Sequence, residues 1–341
     1  MMQVKQLAEV GLAAWDGYVS ANPQATFFHR GGWRDVLEQG VGLRTHFLCA
    51  VDDGLIQGIL PLAEVRSVLF GSSIVSLPFC VYGGLVASSA VAAAALDEAA
   101  QALAQIRRVG HLEYRHRERA HPEWPAKTLY VTFRKAIDAD PDVNMEAIPR
   151  KQRRMVRQGM KAELVSELDV DNRFFFPVYA WNVHRLGTPV FGRRYFDALR
   201  RVFGADCEVL TVSRHGQTVA SVMSFYFRDE VLPYYGGGLA SAREHAAYDF
   251  MYWEVMRRAA ERGCRVFDYG RSKLDSGSYS FKKNWGFEPQ PLYYECKLIR
   301  ARTVPQNNPQ NPRYQNLIKL WQRLPLPVAN AIGPYLARNL G

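Results

Sequence analysis

Val231-Leu-Pro-Tyr-Tyr-Gly-Gly-Gly-Leu239 is the stretch from which the fold follows. Before it, Cys207–Ser213 and Thr218–Phe227 alternate like two strands around a His-Gly turn, which predicts a β-hairpin. After it, the pattern predicts a helix over His245–Arg262 and then a short strand over Arg265–Gly270. A hairpin, a glycine-ended strand, a helix and a further strand together form one α+β unit.

The first half of the chain repeats this order of elements, which indicates an internal duplication. Its counterparts are a hairpin over His46–Val51 and Leu55–Arg66, a helix over Ser88–Val109 and a strand over His111–Arg115. Leu77-Pro78 leads into Tyr82-Gly83-Gly84, as Leu232-Pro233 leads into the longer glycine run. The sequence therefore predicts an α+β protein of two tandem units, each a mixed, mostly antiparallel sheet flanked by helices.

Length and composition agree with this organisation. The chain has 341 residues, of which 48% are hydrophobic and 22% charged, so it can bury two ordinary cores and is neither disordered nor fibrous. A polar joint at Asp138–Asn144 and a basic tail predict the domains 1–140, 145–300 and 301–341. The five scattered cysteines form no Cys-x-x-Cys pair, and no long apolar run is present, so we expect a cytoplasmic protein without a metal site.

Two segments near the end of the second unit carry a family resemblance. They read Phe267-Asp-Tyr-Gly-Arg-Ser272 and Gly277-Ser-Tyr-Ser-Phe-Lys-Lys-Asn-Trp-Gly286. They resemble the "GRS … FK … G" segment of the FemAB family, whose members carry two GNAT-like acyltransferase units. The first unit is similar to the branch found with bacterial exopolysaccharide and exosortase (PEP-CTERM) systems, at Trp33, Leu60-Pro61-Leu62, Pro78-Phe79 and Tyr82-Gly83-Gly84.

The resemblance implies both a fold and an activity. The implied fold is a tandem pair of GNAT-like units, in which two parallel strands splay apart beside an acyl donor. The implied activity is transfer of an acyl or aminoacyl group to an amine on a glycan or peptide precursor of the cell envelope or exopolysaccharide. No nucleophilic triad is visible in the sequence, which fits direct aminolysis. A second hypothesis stays open, namely a non-catalytic GNAT pair that binds an anionic glycan precursor as a scaffold.

The end of the predicted strand Arg265–Gly270 supplies candidate catalytic and anion-binding groups. The strand would deliver Arg271 and Ser272 at its carboxyl end, where ligands commonly bind in α/β sheets. We predict that Asp268, held beside Arg271, is the base for the transfer. The alternative for Asp268 is an ion pair that braces the loop.

The next segment supplies two lysines and two aromatic side chains. A helix predicted to begin at Tyr279 would place Lys282 and Lys283 in its first turn, where the helix dipole and ammonium groups favour a phosphate or an oxyanion. By its position after the phenylalanine, Lys282 matches the lysine that the family resemblance implies in catalysis. Tyr279, Lys283 and Trp285 are predicted to bind substrate; alternatively, this is a solvated basic turn whose aromatic rings simply pack.

Two further clusters are candidates for substrate binding. Glycine permits a close backbone approach and tyrosine can stack on a base or sugar, so Tyr235, Gly236 and Gly237 are predicted to contact substrate. The alternative is a tight turn with core tyrosines. The run from Arg150 to Lys161 holds six basic and no acidic residues, and a helix would align Lys151 and Arg154 for phosphate contacts. That run is equally typical of a solvated helix face.

The donor is left open by the sequence. Acetyl-CoA-using GNAT proteins usually carry a Q/RxxGxG/A turn after the glycine strand, and Gly238–Tyr248 has no such match. We therefore expect no tightly bound cofactor, with acyl-CoA or aminoacyl-tRNA as donor substrate. The expected partners are a lipid- or nucleotide-linked precursor and tRNA. Sequence-specific DNA binding is not expected, because no helix-turn-helix, zinc finger or RNP motif is found.

The last forty residues are basic and amphipathic. No acidic residue follows Glu295, and apolar residues recur at helical spacing over Tyr314–Leu324 and Val328–Leu340. Such helices can lie on an anionic membrane surface, which predicts peripheral contact at the inner face of the membrane. The alternative is that both helices fold back and cover an apolar groove of the body.

Overall fold

The computed structural model describes residues 1–67, 71–304 and 312–339. The described chain divides into two compact units. Unit 1 contains residues 1–128, 291–304 and 335–339, whereas unit 2 contains 129–290 and 312–334. Residues 305–311 of the predicted basic tail lie outside the described residues.

The strands are distributed along the chain from residue 3 to residue 298. In chain order they are β1 (Gln3–Gln6), β2 (Arg44–Asp52), β3 (Leu55–Ser67), β4 (Gly71–Ser76), β5 (Val86–Ala87), β6 (His111–His116), β7 (Ala126–Lys127), β8 (Tyr130–Ala136), β9 (Leu164–Asp169), β10 (Cys207–Arg214), β11 (Gln217–Phe227), β12 (Glu230–Gly238), β13 (Val266–Asp268), β14 (Ser272–Lys273), β15 (Pro289–Pro291) and β16 (Tyr293–Leu298).

The helices flank these strands. In chain order they are α1 (Leu7–Val10), α2 (Leu12–Ala21), α3 (Trp33–Asp35), α4 (Ala90–Ile106), α5 (Pro141–Ala147), α6 (Arg150–Lys161), α7 (Phe175–Arg185), α8 (Arg193–Phe203), α9 (Ala247–Glu261), α10 (Gly277–Asn284), α11 (Pro312–Arg323) and α12 (Leu326–Ala337). Among the helices of the described residues, none is both long enough and apolar enough to cross a membrane.

The sheet of unit 1 has the order β1-β2-β3-β4-β6-β16-β7, with β5 added beside β3. All its pairs are antiparallel except β4 and β6, which run parallel. The helix α4 connects this parallel pair, and its small apolar side chains pack into the core with Leu96 and Tyr114. Ser89 caps α4 by accepting a hydrogen bond from the Ala92 amide.

The sheet of unit 2 has the order β14-β8-β13-β12-β11-β10-β9, with β15 beside β8. The neighbours β12 and β13 run parallel, and α9 connects them. Their register holds for Glu230–Val266 and Val231–Phe267 alone, so the two strands separate beyond that point. The fold class predicted from the sequence is confirmed: the protein is α+β, with two mixed, mostly antiparallel sheets flanked by helices.

Each sheet receives a strand from outside the predicted domain limits. The late strand β16 pairs with β6 in the sheet of unit 1, and the early strand β8 pairs with β13 in the sheet of unit 2. The compact units therefore divide the chain near residues 128 and 290. The domain limits 1–140, 145–300 and 301–341 stay a prediction, and they differ from these units because a strand pairing over long sequence distance leaves no local signal.

The two Leu-Pro segments differ in structure. Leu232-Pro233 lies within β12, as predicted, but Leu77-Pro78 follows the end of β4 and begins a loop. Leu77 and Phe79 have positive φ angles of 56° and 70°, which ends the strand there. The segment from Leu77-Pro78 to Tyr82-Gly83-Gly84 was expected to correspond to the glycine-ended strand of the second unit. That expectation is wrong, because the strand ends at Ser76.

Candidate active site

A cavity of about 410 Å³ opens in unit 2 beside the segment that follows β13. Its walls come from α6, from the loop and first turns of α9, and from residues after β13 through α10. The lining residues are Met155, Ala242, Arg243, Ala246, Tyr248, Asp249, Tyr252, Tyr269, Ser278, Phe281 and Lys282. This size is typical of small-molecule sites, so the cavity is the candidate active site.

The predicted catalytic lysine, Lys282, lies in the wall of this cavity and is 8% exposed. Its Nζ donates hydrogen bonds to the carbonyl oxygens of Tyr269 (2.7 Å), Gly270 (2.9 Å) and Arg271 (3.1 Å). All three donors of the ammonium group are therefore used by the loop that follows β13. The lysine ties α10 to that loop as well as facing the cavity.

The helix that carries Lys282 begins two residues earlier than predicted. Ser276 caps α10 by accepting from the Tyr279 amide, and the helix runs over Gly277–Asn284. Lys282 and Lys283 therefore lie in its last turn, and the predicted placement in the first turn is wrong. Because these lysines are far from the N-terminus of α10, the positive end of the helix dipole does not help them to bind an anion. The ammonium group itself supplies the positive charge.

Burial sets the protonation of Lys282. It lowers the pKa of the ammonium to about 7, while the nearby Asp268 carboxylate raises this pKa and the Arg271 guanidinium lowers it. The three carbonyl acceptors also favour the charged form. The side chain therefore titrates near neutral pH, where an amino group can hold or release a proton during acyl transfer.

Asp268, the predicted base, is completely buried at the end of β13. Its carboxylate accepts hydrogen bonds from Arg134 (2.7 Å), from Thr132 (3.2 Å) and from the Gly270 amide (2.7 Å). An arginine that pairs with it is Arg134 on β8, which the sequence did not predict. This geometry supports the alternative hypothesis, in which Asp268 braces the loop whose carbonyls hold Lys282.

Arg271 and Ser272 follow the loop but do not line the cavity. The Arg271 guanidinium lies 4.7 Å from the centre of the Tyr130 ring. Ser272 pairs with Val131 in β14, and its hydroxyl is buried without a hydrogen-bond partner among the described residues. Their predicted roles in substrate binding stay predictions.

The aromatic residues of α10 pack rather than project into open space. Trp285 is fully buried, and its indole N–H donates to Asp249 at 3.0 Å. Tyr279 is half-buried with its ring edge against Phe133, at 5.5 Å between centroids. Lys283 is exposed on the outer face of the helix. The geometry thus favours packing for the two aromatic rings, while Lys283 has free access to solvent.

The space beside the glycines of β12 is occupied by other residues of the protein. A side chain at Gly236 would meet the Tyr252 hydroxyl, and one at Gly237 would meet the backbone of Val178 and Tyr179 on α7. These glycines permit the helices α9 and α7 to approach the two faces of the strand. The close approach predicted from the sequence is present, but α7 and the Tyr252 side chain make it.

Tyr235 belongs to an aromatic core on the α7 and α8 side of the sheet. Its hydroxyl is 2.8 Å from that of Tyr195, and its ring contacts Tyr179 and Phe196 edge to face. It does not line the cavity, so the alternative hypothesis of a core tyrosine describes its position.

We expect Tyr195→Phe to lower stability but not acyl transfer. The substitution removes the buried hydroxyl pair and leaves the Tyr235 hydroxyl without that partner, which costs about 1–3 kcal/mol. Denaturant unfolding and turnover should be measured together, with Tyr335→Phe as the control because Tyr335 is 66% exposed. A loss of turnover at unchanged stability would instead support the predicted contact between Tyr235 and the substrate.

Lys151 and Arg154 lie on the exposed face of α6. Arg150, Arg157 and Lys161 are exposed on the same helix, which has no acidic residue. Met155, half-buried and one turn after Lys151 on the same helix, lines the cavity. The basic face therefore borders the candidate site from outside, a position that suits an anionic part of a substrate.

Several residues of the cavity were not predicted. Tyr248 and Tyr252 stand one turn apart on α9, and Tyr269 follows β13 with a buried hydroxyl that has no partner among the described residues. Asp249 accepts from Gln152 and Trp285, and burial raises its pKa. The i, i+4 spacing of the two tyrosines was the available signal, but it is equally typical of a core helix.

Comparison with known families agrees with this site. Residues 144–283 match the acetyltransferase (GNAT) domain family, a span that ends just after Lys282. Unit 2 therefore carries a GNAT domain, and the predicted enzyme class, an acyltransferase, is confirmed with its donor undetermined. No curated protein matches the sequence.

Solved structures share the fold at low sequence identity. The crystal structure of FemX aligns with a TM-score of 0.68 and 14% identity, covering 94% of this chain and all of that chain. A tandem GNAT protein from the clavulanic acid biosynthesis pathway aligns with a TM-score of 0.56 and 13% identity, covering 89% and 100%. L-PGS from Bacillus licheniformis aligns at 0.53 and 12%, covering 85% and 96%. The tandem GNAT architecture is thus confirmed over both units.

Proposed function

We propose that this acyltransferase is a FemAB-like enzyme that moves an acyl or aminoacyl group to an amine of a glycan or peptide precursor. The precursor would belong to the cell envelope or to exopolysaccharide made with an exosortase (PEP-CTERM) system. One observation carries the proposal: the cavity with Lys282 in its wall lies inside the GNAT domain, beside the segment that follows the parallel strand β13. The similarity of the first unit to the exosortase-associated branch supports the finer assignment.

The chemistry is direct aminolysis. The amine nitrogen of the acceptor attacks the carbonyl carbon of a thioester or ester, the carbon–sulfur or carbon–oxygen bond breaks, and one proton passes from the amine to the leaving group. The negative charge that develops on the carbonyl oxygen needs a nearby donor or cation. Lys282 can supply the positive charge from the cavity wall, and a titration near pH 7 also lets it take part in proton transfer.

Donor and acceptor are bound as substrates in this proposal. Acyl-CoA or aminoacyl-tRNA would bring the acyl group, and the exposed basic face of α6 would contact phosphates of the donor or of a lipid- or nucleotide-linked acceptor. Arg243, at the exposed edge of the cavity, adds a further cation on the same side of the domain.

The proposal is tested by product formation. The full chain is incubated with acyl-CoA or with aminoacyl-tRNA, and with an amino sugar nucleotide or a muramyl peptide as acceptor, and the products are analysed by mass spectrometry. An N-acylated or N-aminoacylated product that requires the protein is the expected result. Tight binding of the acceptor without product from any donor would support the scaffold hypothesis instead.

The basic tail packs on unit 2 with one face and leaves apolar side chains exposed on the other. Helix α11 packs on α7: Trp321 is buried, its carbonyl accepts from His184 (3.0 Å), and Gln322 donates to the Arg185 carbonyl (2.8 Å). The tail therefore folds back on unit 2, as the alternative hypothesis expects. Its outer face nevertheless keeps Leu317 and Leu320 exposed, at 59% and 60%.

We propose that this outer face contacts an anionic membrane surface at the inner face of the membrane, beside cytoplasmic lipid-linked precursors. On α12, Val328 and Ile332 are exposed one turn apart. Lys319 and Arg323 are exposed next to the leucines of α11, and no acidic residue lies in this part of the chain. Each cation near an anionic surface adds about 1 kcal/mol of attraction, which salt screens.

We expect the double substitution Leu317→Glu/Leu320→Glu to abolish binding to anionic vesicles. Co-sedimentation with phosphatidylglycerol vesicles at low salt measures this, and the wild-type binding should weaken as salt is added. Leu168→Glu is the control, since Leu168 is also exposed but lies on β9 of the same unit. Equal binding of the double variant and the control, or no binding of the wild type, would mean that the tail only braces unit 2.

A further inference from the structure

The volume of the cavity exceeds the needs of a small acyl group. An acetyl group has about the volume of two water molecules, on the order of 60 Å³. The cavity measures about 410 Å³ and would remain mostly empty around it. A site of this size has room for a group of several more heavy atoms.

The walls of the cavity are mainly apolar. Tyr252 contacts Tyr269 and Phe281 through their rings, at 5.0 and 5.6 Å between centroids, and Tyr248 and Met155 complete this surface. Aromatic rings and a flexible thioether offer large, adaptable contact areas to an apolar group. A chain of methylene groups would bury its surface against them.

The charges around the cavity disfavour an amino acid as the transferred group. Lys282 and Arg243 both contribute cations to its lining. Asp249 is the sole acidic residue among the described lining residues, and its carboxylate already accepts from Gln152 and Trp285. The α-ammonium of an aminoacyl group would therefore meet two cations and a single carboxylate whose Oδ1 is already hydrogen-bonded, an arrangement that a neutral acyl group avoids.

We infer that this cavity receives a neutral, apolar acyl chain of medium length from an acyl thioester, an inference that rests on the proposed acyl transfer. Met155, Tyr252 and Phe281 would hold the chain, with the thioester carbonyl toward Lys282. The thioester could come from coenzyme A or from a carrier protein, because both present the same pantetheine-linked acyl group. On transfer, the carbon–sulfur bond breaks, the amide bond forms and the thiol leaves with one proton.

A chain-length series tests the inference by direct binding. Calorimetric titration of the full chain compares coenzyme A with its acetyl, butyryl and octanoyl thioesters, and adds octanoyl-pantetheine to separate the two sources of the thioester. Each buried methylene should raise affinity about threefold to fourfold, so octanoyl-CoA, with six more methylenes, should bind on the order of 10³-fold more tightly than acetyl-CoA. Tight binding of octanoyl-pantetheine would show that the acyl chain is read without the nucleotide.

A matched pair of variants locates the effect. Met155→Trp places a larger side chain in the cavity wall, and it should remove most of the preference for octanoyl over acetyl. Met160→Trp is the control, because Met160 is 43% exposed on the same helix and does not line the cavity. Thermal unfolding checks that both variants fold, and the wild-type series is conclusive without them.

The outcomes separate this inference from the proposed function. Chain-length dependence that Met155→Trp removes and Met160→Trp keeps supports the inference, even where no amide product forms with any amine. Equal affinities for acetyl- and octanoyl-CoA, or no binding of any thioester, overturn it. An acetylated or aminoacylated product formed without chain-length dependence would leave acyl transfer standing and also overturn the apolar-chain site.

Discussion

Replacing Lys282 by Met is expected to lower turnover by about 10²–10³-fold and to lower stability as well. The loss of turnover follows from the position of the ammonium in the cavity wall. The loss of stability follows from the loop carbonyls of Tyr269, Gly270 and Arg271, which would lose a buried donor. Stranded buried acceptors make a loss of roughly 2–4 kcal/mol the expected result in denaturant unfolding.

This expectation corrects the one that the sequence suggests. A lysine in an exposed first turn buries little, so its removal should affect turnover far more than stability. Because Lys282 is buried and braced, both quantities should fall. Lys283→Ala is the matched control, since Lys283 is its exposed neighbour in the same turn. Similar turnover of Lys282→Met and Lys283→Ala would exclude a catalytic role for Lys282.

A pH profile of the rate distinguishes an electrostatic role of Lys282 in catalysis from a purely structural one. With a pKa near 7, Lys282 is protonated below neutral pH, so a rate that depends on its charge should fall as the pH rises through about 7. In Lys282→Arg the guanidinium stays charged, and the falling limb should move to higher pH. An unchanged falling limb in Lys282→Arg would show that another group controls it.

Replacing Asp268 by Asn is expected to have the largest effect on stability. The substitution leaves Arg134 with a buried charge beside a neutral amide, and removal of one partner of a buried ion pair costs about 3–5 kcal/mol. Glu230, which also pairs with Arg134, should place the loss near the lower end of this range. Denaturant unfolding measures it, with Asp275→Asn as the control at an exposed position of the same loop region.

The same variant also separates a brace from a base. Because the Asp268 carboxylate raises the pKa of Lys282, its removal should lower that pKa and move the falling limb of the rate to lower pH. This shift is opposite to that of Lys282→Arg. If Asp268→Asn instead removed a part of the profile in which the rate rises with pH, and left stability unchanged, Asp268 would be the base and its positioning role would be contradicted.

Local patterns in the sequence determined the elements of each unit. The alternation around the turn at Asp53-Gly54 predicts β2 and β3, and the spacing over residues 245–262 predicts α9. These signals suffice because a hairpin and an amphipathic helix form from neighbours in the chain. The segment around Lys282 could be identified in the same way, because its chemistry and its family resemblance lie within twenty residues.

Tertiary structure alone decided which of those residues face a ligand. The sequence places Tyr235, Gly236 and Trp285 beside the candidate site, but the two faces of β12 and the packing of α10 turn them into the protein interior. Conversely, Tyr252 and Met155 reach the cavity from two separate helices. No local pattern encodes such a meeting, because it depends on how helices pack across the sheet.

The partner of each buried charge was likewise decided by the fold. Asp268 and Arg134 are far apart in the chain, and only the pairing of β13 with β8 brings them to 2.7 Å. Burial of Lys282, which sets its titration near neutral pH, depends on the same loop and strands. The sequence thus determined the chemical groups and the two units, whereas their solvation and their partners arose from contacts between distant segments, because desolvation is a property of the packed environment.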